Sequence, residues 1–191
     1  MVFCQICVAM LFEVLGSQIW KLYEYRLHNL PLFVPAGHGL FYLAALRVAA
    51  IPRLVRRARV LTYLTYGVAT AYAFLCLFLP PAPDWLGLIA WAVFTRFIWR
   101  GRAPLLYAVS FLLTMALEFY GTFVGTWTWA PVIGSLGMTV GNPPSAVGAA
   151  YCVVDGLARR LYVLTIKAHR ARRTERAEKP SLPAEALGPG R

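Results

Sequence analysis

The chain has 191 residues, 59% of them hydrophobic, and a mean hydropathy of +0.59; an ordinary soluble domain is about 45–50% apolar, so the composition argues against one and predicts an integral membrane protein. The net charge of +11 lies almost entirely in the connections between apolar runs, which argues for a membrane surface and against nucleic acid as the acidic partner.

In chain order, apolar runs cover 1–20, 31–50, 60–79, 85–99, 104–124 and 143–158. About 20 residues of helix cross the hydrocarbon core, so the fold class expected is all-α: a polytopic membrane bundle of six transmembrane helices occupying residues 1–166. The first run carries Glu13 and the pair Cys4 and Cys7; with Cys76 and Cys152 scattered elsewhere, the cysteines read as apolar packing rather than as a metal or redox site. Residues 1–20 lack a basic leader and a small-residue cleavage site, which predicts that this run stays as a span.

The second run carries His38 and Arg47 and is followed by Arg53, Arg56, Arg57 and Arg59. The third holds Tyr63, Tyr66 and Tyr72, and the fourth is broken by Arg96 and followed by Arg100 and Arg102. Arginine-rich connections alternate with nearly uncharged ones, so the positive-inside rule puts both termini in the cytoplasm, as an even number of spans requires. Anionic lipid headgroups at the cytoplasmic face are the expected partners of these arginines.

The fifth run brings the chemistry. Glu118 precedes Gly121 and Gly125, two tryptophans follow at 127 and 129, and Asn142-Pro143-Pro144 opens the last run. At helical spacing Glu118, Gly121 and Gly125 share a face, where glycines permit close helix packing or leave a groove for a flat apolar ligand. Trp127 and Trp129 fit an interfacial belt or the lid of a pocket. Asn142 reads as an N-cap with proline at the first helical position, and its amide is a candidate for the site. Asp155, four residues before Arg159, reads as half of an ion pair on one helix, with Arg47 as the other candidate partner. Residues 167–191 are basic, then rich in proline, glutamate and alanine, and are expected to be a disordered cytoplasmic tail, with residues 161–173 alternatively a basic amphipathic helix along the inner leaflet.

Residues 12–42 and 117–151 also align with each other. Glu13 and Gly16 meet Glu118 and Gly121, and after a four-residue insertion Pro35, Gly39 and Tyr42 meet Pro144, Gly148 and Tyr151. This predicts a parallel internal repeat relating the first two helices to the last two. It puts Glu13 and Glu118 at one depth, about 10 Å inside the outer end of their helices at 1.5 Å per residue, with His38 at a similar level.

Ionisable groups at that depth face a bundle interior, a water-filled cavity or each other. Glu118, Glu13 and His38 are therefore the candidate catalytic residues, and Gly121, Gly125, Trp127, Trp129 and Asn142 the candidate substrate-binding ones. Two carboxylates and a histidine in a low dielectric make an acid/base set able to protonate an isolated alkene and deprotonate its product or activate water. The sequence has no phosphate-binding loop, dinucleotide fingerprint, HExxH or GxSxG; with three histidines in all, no metal site and no cofactor is expected.

The order Glu118, Gly121, Gly125, Trp127, Trp129, then Asn142, Pro143 and Pro144, resembles the integral-membrane carotenoid-biosynthesis family, which includes carotenoid hydratases. The resemblance covers about residues 117–151 and implies an isoprenoid ligand, with Glu118 the first residue to carry over. Three readings stay open: an intramembrane enzyme on an isoprenoid or other lipid, a small proton-coupled transporter, and a non-catalytic subunit whose glycine-rich faces serve a homo- or hetero-oligomer.

Overall fold

The computed structural model describes residues 1–178 apart from 80 and 135, with side chains as far as Arg170. It is mostly helical. In order come α1 (Val2–Glu13), continued by a π-helical turn (Val14–Ile19), α2 (Phe33–Ala49), a short α3 (Pro52–Arg56), α4 (Ala58–Leu75), α5 (Trp85–Arg100), α6 (Pro104–Phe123) and α7 (Ala149–Glu178). Proline opens α3 and α6 at positions where its missing N–H costs nothing. Among the described residues two helices, against the six spans expected, are long and apolar enough to cross a membrane, Val2–Ile19 and Pro104–Phe123; Phe33–Ala49 is apolar but shorter.

Four helices make a closed ring, α1 against α2, α2 against α6, α6 against α7, and α7 back against α1. α4 packs on α6, and α5 on α4, α6 and α7. One core joins α4, α5, α6 and the start of α7, with Phe94 and Phe111 stacked at 4.1 Å between ring centres. A smaller one, built of Cys4, Val8 and Ala9 against Val154 and Ala158, holds α1 to α7.

Two strands cross the end of the ring at which α1 and α6 terminate. β1 (Tyr23–Tyr25) and β2 (Trp127–Trp129) pair antiparallel, Tyr23 opposite Trp129 and Tyr25 opposite Trp127, with Glu24 opposite Thr128 at the centre. β3 (Val132–Ile133) and β4 (Met138–Thr139) form a second small ribbon.

The two hairpins correspond at the ribbon. Just beyond the ladder, Arg26 N–H donates to the Thr126 carbonyl and Ala130 N–H to the Leu22 carbonyl, two bonds that a twofold axis through Glu24 and Thr128 would exchange. The α1–α7 and α2–α6 packings exchange in the same way. The Gly16 carbonyl accepts from Leu22 six residues on, and the Gly121 carbonyl from Thr126 only five residues on. The first copy thus carries one extra residue, absorbed by its π-helical turn, where Trp20 N–H reaches back to Leu15. After that residue the two copies run at an offset of 104, not 105, and Tyr23 and Tyr25 correspond to Trp127 and Trp129.

Three expectations need correction. The last helix begins at Ala149, not 143, and Asn142 is not its N-cap. Helix α7 continues through the segment expected to be disordered as far as Glu178; the remainder of that tail, 179–191, lies outside the described residues. Asp155 takes its hydrogen bonds from Gln5 on α1 (2.8 Å) and Ser110 on α6 (3.4 Å), and among the described residues it forms no ion pair with Arg159 or Arg47. Gln5 and Ser110 are equivalent positions of the two copies, each eight residues before its glutamate.

Candidate functional site

The β1–β2 ribbon lies with one face on the helices. Side chains alternate along a strand, so Tyr23, Tyr25, Trp127 and Trp129 all point to that face, while Glu24 and Thr128 are exposed on the other. The four rings contact one another across the ladder, Tyr23 with Trp129 at 4.8 Å and Tyr25 with Trp127 at 6.1 Å.

Under this aromatic face are the two glutamates. Glu13 Oε2 accepts from the hydroxyls of Tyr23 and Tyr25, both at 2.7 Å. Glu118 Oε2 accepts from the indole N–H groups of Trp127 (2.9 Å) and Trp129 (3.0 Å). Each carboxylate is thus held by two donors of the strand that follows it. Burial, and then the Glu13 carboxylate, pushes the Tyr23 and Tyr25 hydroxyls far above the ordinary phenol range, so both remain O–H donors at physiological pH.

Glycines make these contacts possible. A Cβ on Gly16 would meet the Tyr23 ring at 2.9 Å, and one on Gly121 the Trp127 ring at 2.1 Å. The strand turns away from the helix through a left-handed residue, Gly125 (φ +69°) in the second copy and Lys21 (φ +49°) in the first. The second hairpin arms correspond too, since Gly39 packs on Ile6 and Gly148 on Phe111, each seven residues before its glutamate.

The symmetry breaks at His38, whose counterpart is Val147. Its Nε2 lies 3.0 Å from Glu13 Oε1, and its Nδ1 is hydrogen-bonded to the Tyr151 hydroxyl. A neutral His38 donating from Nε2 to Glu13 and accepting from Tyr151 at Nδ1 satisfies all three groups. Glu13 is then fully engaged at both oxygens. Glu118 is not: among the described residues no protein donor reaches its Oε1.

Of the residues singled out in the sequence, Glu13 and His38 are in direct contact, and Glu118, Trp127 and Trp129 form the matching half of the cluster. Gly121 lies under Trp127, so the groove expected along Gly121 and Gly125 is filled by the chain's own indole. Gly125 lies beyond the end of α6. Asn142 Oδ1 accepts from Trp129 N–H at 3.1 Å and so fixes β2; with Tyr72, Phe119, Thr122 and Phe123 it also lines a shallow crevice of about 520 Å³ that Glu118 does not line.

Sequence reasoning missed Tyr23, Tyr25 and Tyr151 as members of the cluster. The Tyr-x-Tyr and Trp-x-Trp alternations at corresponding places were the available signal. It also missed Asp84, a buried N-cap of α5 that accepts from the N–H groups of Gly87 (2.9 Å), Gly141 (3.0 Å) and Ser145 (2.6 Å). Asp84 holds the 141–145 loop in place and with it Asn142.

Among the described residues no three His, Cys, Asp or Glu side chains converge as a metal site. No family model, no curated protein and no solved structure matches this chain.

Proposed function

We propose that the chain is a multi-pass membrane enzyme that moves protons on and off an apolar alkene of isoprenoid type, with Glu118 as general acid and the Glu13–His38 pair as its base partner. The observation that carries this reading is the unequal use of two equivalent carboxylates. Glu13 is held at both oxygens, by two tyrosines and by a histidine that continues to Tyr151, whereas Glu118 is anchored through one oxygen and the other has no donor among the described residues.

A purely structural pair would need no such difference. A carboxyl with one uncommitted oxygen and a carboxylate–imidazole pair are what proton delivery and removal on one substrate require. The aromatic face beside it suits a developing carbocation, whose charge the ring faces stabilise. The similarity of residues 117–151 to the carotenoid-biosynthesis pattern points to the same substrate class.

The membrane placement proposed is six spans with both termini in the cytoplasm and the β1–β2 ribbon at the opposite face. It is supported by Trp20 and Trp85, half-exposed or more at the ribbon end, and by Trp99 at the arginine end, as an interfacial belt requires. Helices α2, α4 and α5, with 17, 18 and 16 residues, reach about 24–27 Å at 1.5 Å per residue and would cross a somewhat thinned bilayer.

The test is lipid extraction and mass spectrometry of membranes expressing the wild type and Glu118→Gln. Gln keeps an acceptor for the two indoles, so the variant should fold, while the product, an isomer or a hydrate of a polyprenyl lipid, should disappear. Identical lipid profiles with and without the intact carboxylate would overturn the proposal. The twofold arrangement of hairpins also favours a second reading, proton-coupled transport through the ring; flux in proteoliposomes driven by a pH gradient, lost in the same variant, would select it.

A further inference from the structure

At the other end of the molecule the end of α2, the start of α4, the last turns of α5 and the start of α6 enclose a crevice of about 470 Å³, within the range of about 300–1,000 Å³ typical of small-molecule sites. Its walls are mostly apolar, from Ala49, Ala58, Ile98, Pro104 and Leu105, and its polar lining is Arg59, Thr62 and Tyr63. Arg59 is exposed and Thr62 buried, so the polarity is graded from the mouth inward.

The helix ends nearest its mouth are rich in arginine. No carboxylate occurs between Glu24 and Asp84, nor between Asp84 and Glu118, whereas Arg53, Arg56, Arg57, Arg59, Arg100 and Arg102 all belong to the connections at this end. An apolar slot whose mouth is a guanidinium within an arginine field complements an amphiphile with an anionic head. Arginine matches phosphate oxygens through two parallel N–H donors.

We propose that this crevice is a binding site for one anionic phospholipid, an acyl chain lying in the slot and the phosphate on Arg59. The site is separate from the glutamate cluster and rests only on the membrane placement given above.

The test uses the full chain reconstituted in vesicles of phosphatidylcholine with phosphatidylglycerol, re-extracted in mild detergent and analysed for retained lipid by native mass spectrometry. Wild type should retain one phosphatidylglycerol in preference to phosphatidylcholine. Arg59→Glu, which removes the phosphate partner, should lower that retention by about fivefold or more, the effect of about one arginine near an anionic surface, and Ala58→Phe, which fills the slot without changing the charge, should lower it as well. Arg53→Glu changes the charge equally without touching the slot and should retain the lipid.

Equal loss in all three variants would mean diffuse electrostatics and would overturn the site. So would retention unaffected by Ala58→Phe, or competition by inorganic phosphate alone as effective as by lipid. Failure of the protein to enter vesicles at all would instead remove the membrane placement, and with it both proposals.

Discussion

Residue by residue, the cluster depends on two glycines that let an aromatic ring lie against a helix beside its glutamate. The clearances differ, 2.9 Å at Gly16 and 2.1 Å at Gly121, and the neighbour at Gly16 is the ring edge of a tyrosine that can tilt. Gly121→Ala should therefore cost about 2–3 kcal/mol, and Gly16→Ala about 1 kcal/mol; thermal unfolding in detergent measures both. Gly121→Ala should also shift tryptophan fluorescence, because Trp127 must leave Glu118. The carboxylates were legible in the sequence because an ionisable group deep in an apolar run is costly and demands a reason. The tyrosines that hold Glu13 were not. Tyr23-Glu24-Tyr25 and Trp127-Thr128-Trp129 share a period of two, but a single extra residue in the first copy shifts them out of register, and only the π-helical turn shows where it goes.

Among the elements, the loop from 141 to 145 is where sequence propensity and structure part. Asn-Pro-Pro reads as the start of a helix because a cap followed by proline commonly is one. Asp84 decides otherwise: it draws the N–H groups of Gly141 and Ser145 onto a carboxylate on α5 and holds the segment as a loop, so α7 starts at Ala149. Asp84→Ala leaves three backbone donors without their acceptor, each costing about 1–3 kcal/mol if buried, and should destabilise the protein by about 3 kcal/mol or more. Asp84→Asn, which keeps one carbonyl, should cost less. Because the same loop presents Asn142 to β2, Asp84→Ala should also perturb the environment of Trp129, visible as increased exchange of its backbone amide.

For the whole molecule, the arginine distribution and the ribbon make opposite ends of the bundle chemically different, and the proposed topology rests on that difference. In a cysteine-free background, single cysteines at Asn29 and at Arg57 should be labelled by an impermeant maleimide from opposite sides of sealed vesicles; labelling of both from one side would refute the six-span arrangement. Hydropathy placed the helices close to where they form, from α1 near 1–20 to α6 near 104–124, because burial of apolar side chains is a local property that each segment carries by itself. The repeat was visible for the same reason, in Glu-x-x-Gly and in the later Pro, Gly and Tyr. Which donors meet which carboxylate is not local. It was decided by the pairing of β1 with β2 across about a hundred residues of chain, by a histidine on one arm whose counterpart on the other is valine, and by a buried aspartate that fixes a loop. A sequence states the polarity of each segment, but a hydrogen bond between distant segments exists only once the tertiary structure has brought donor and acceptor within reach.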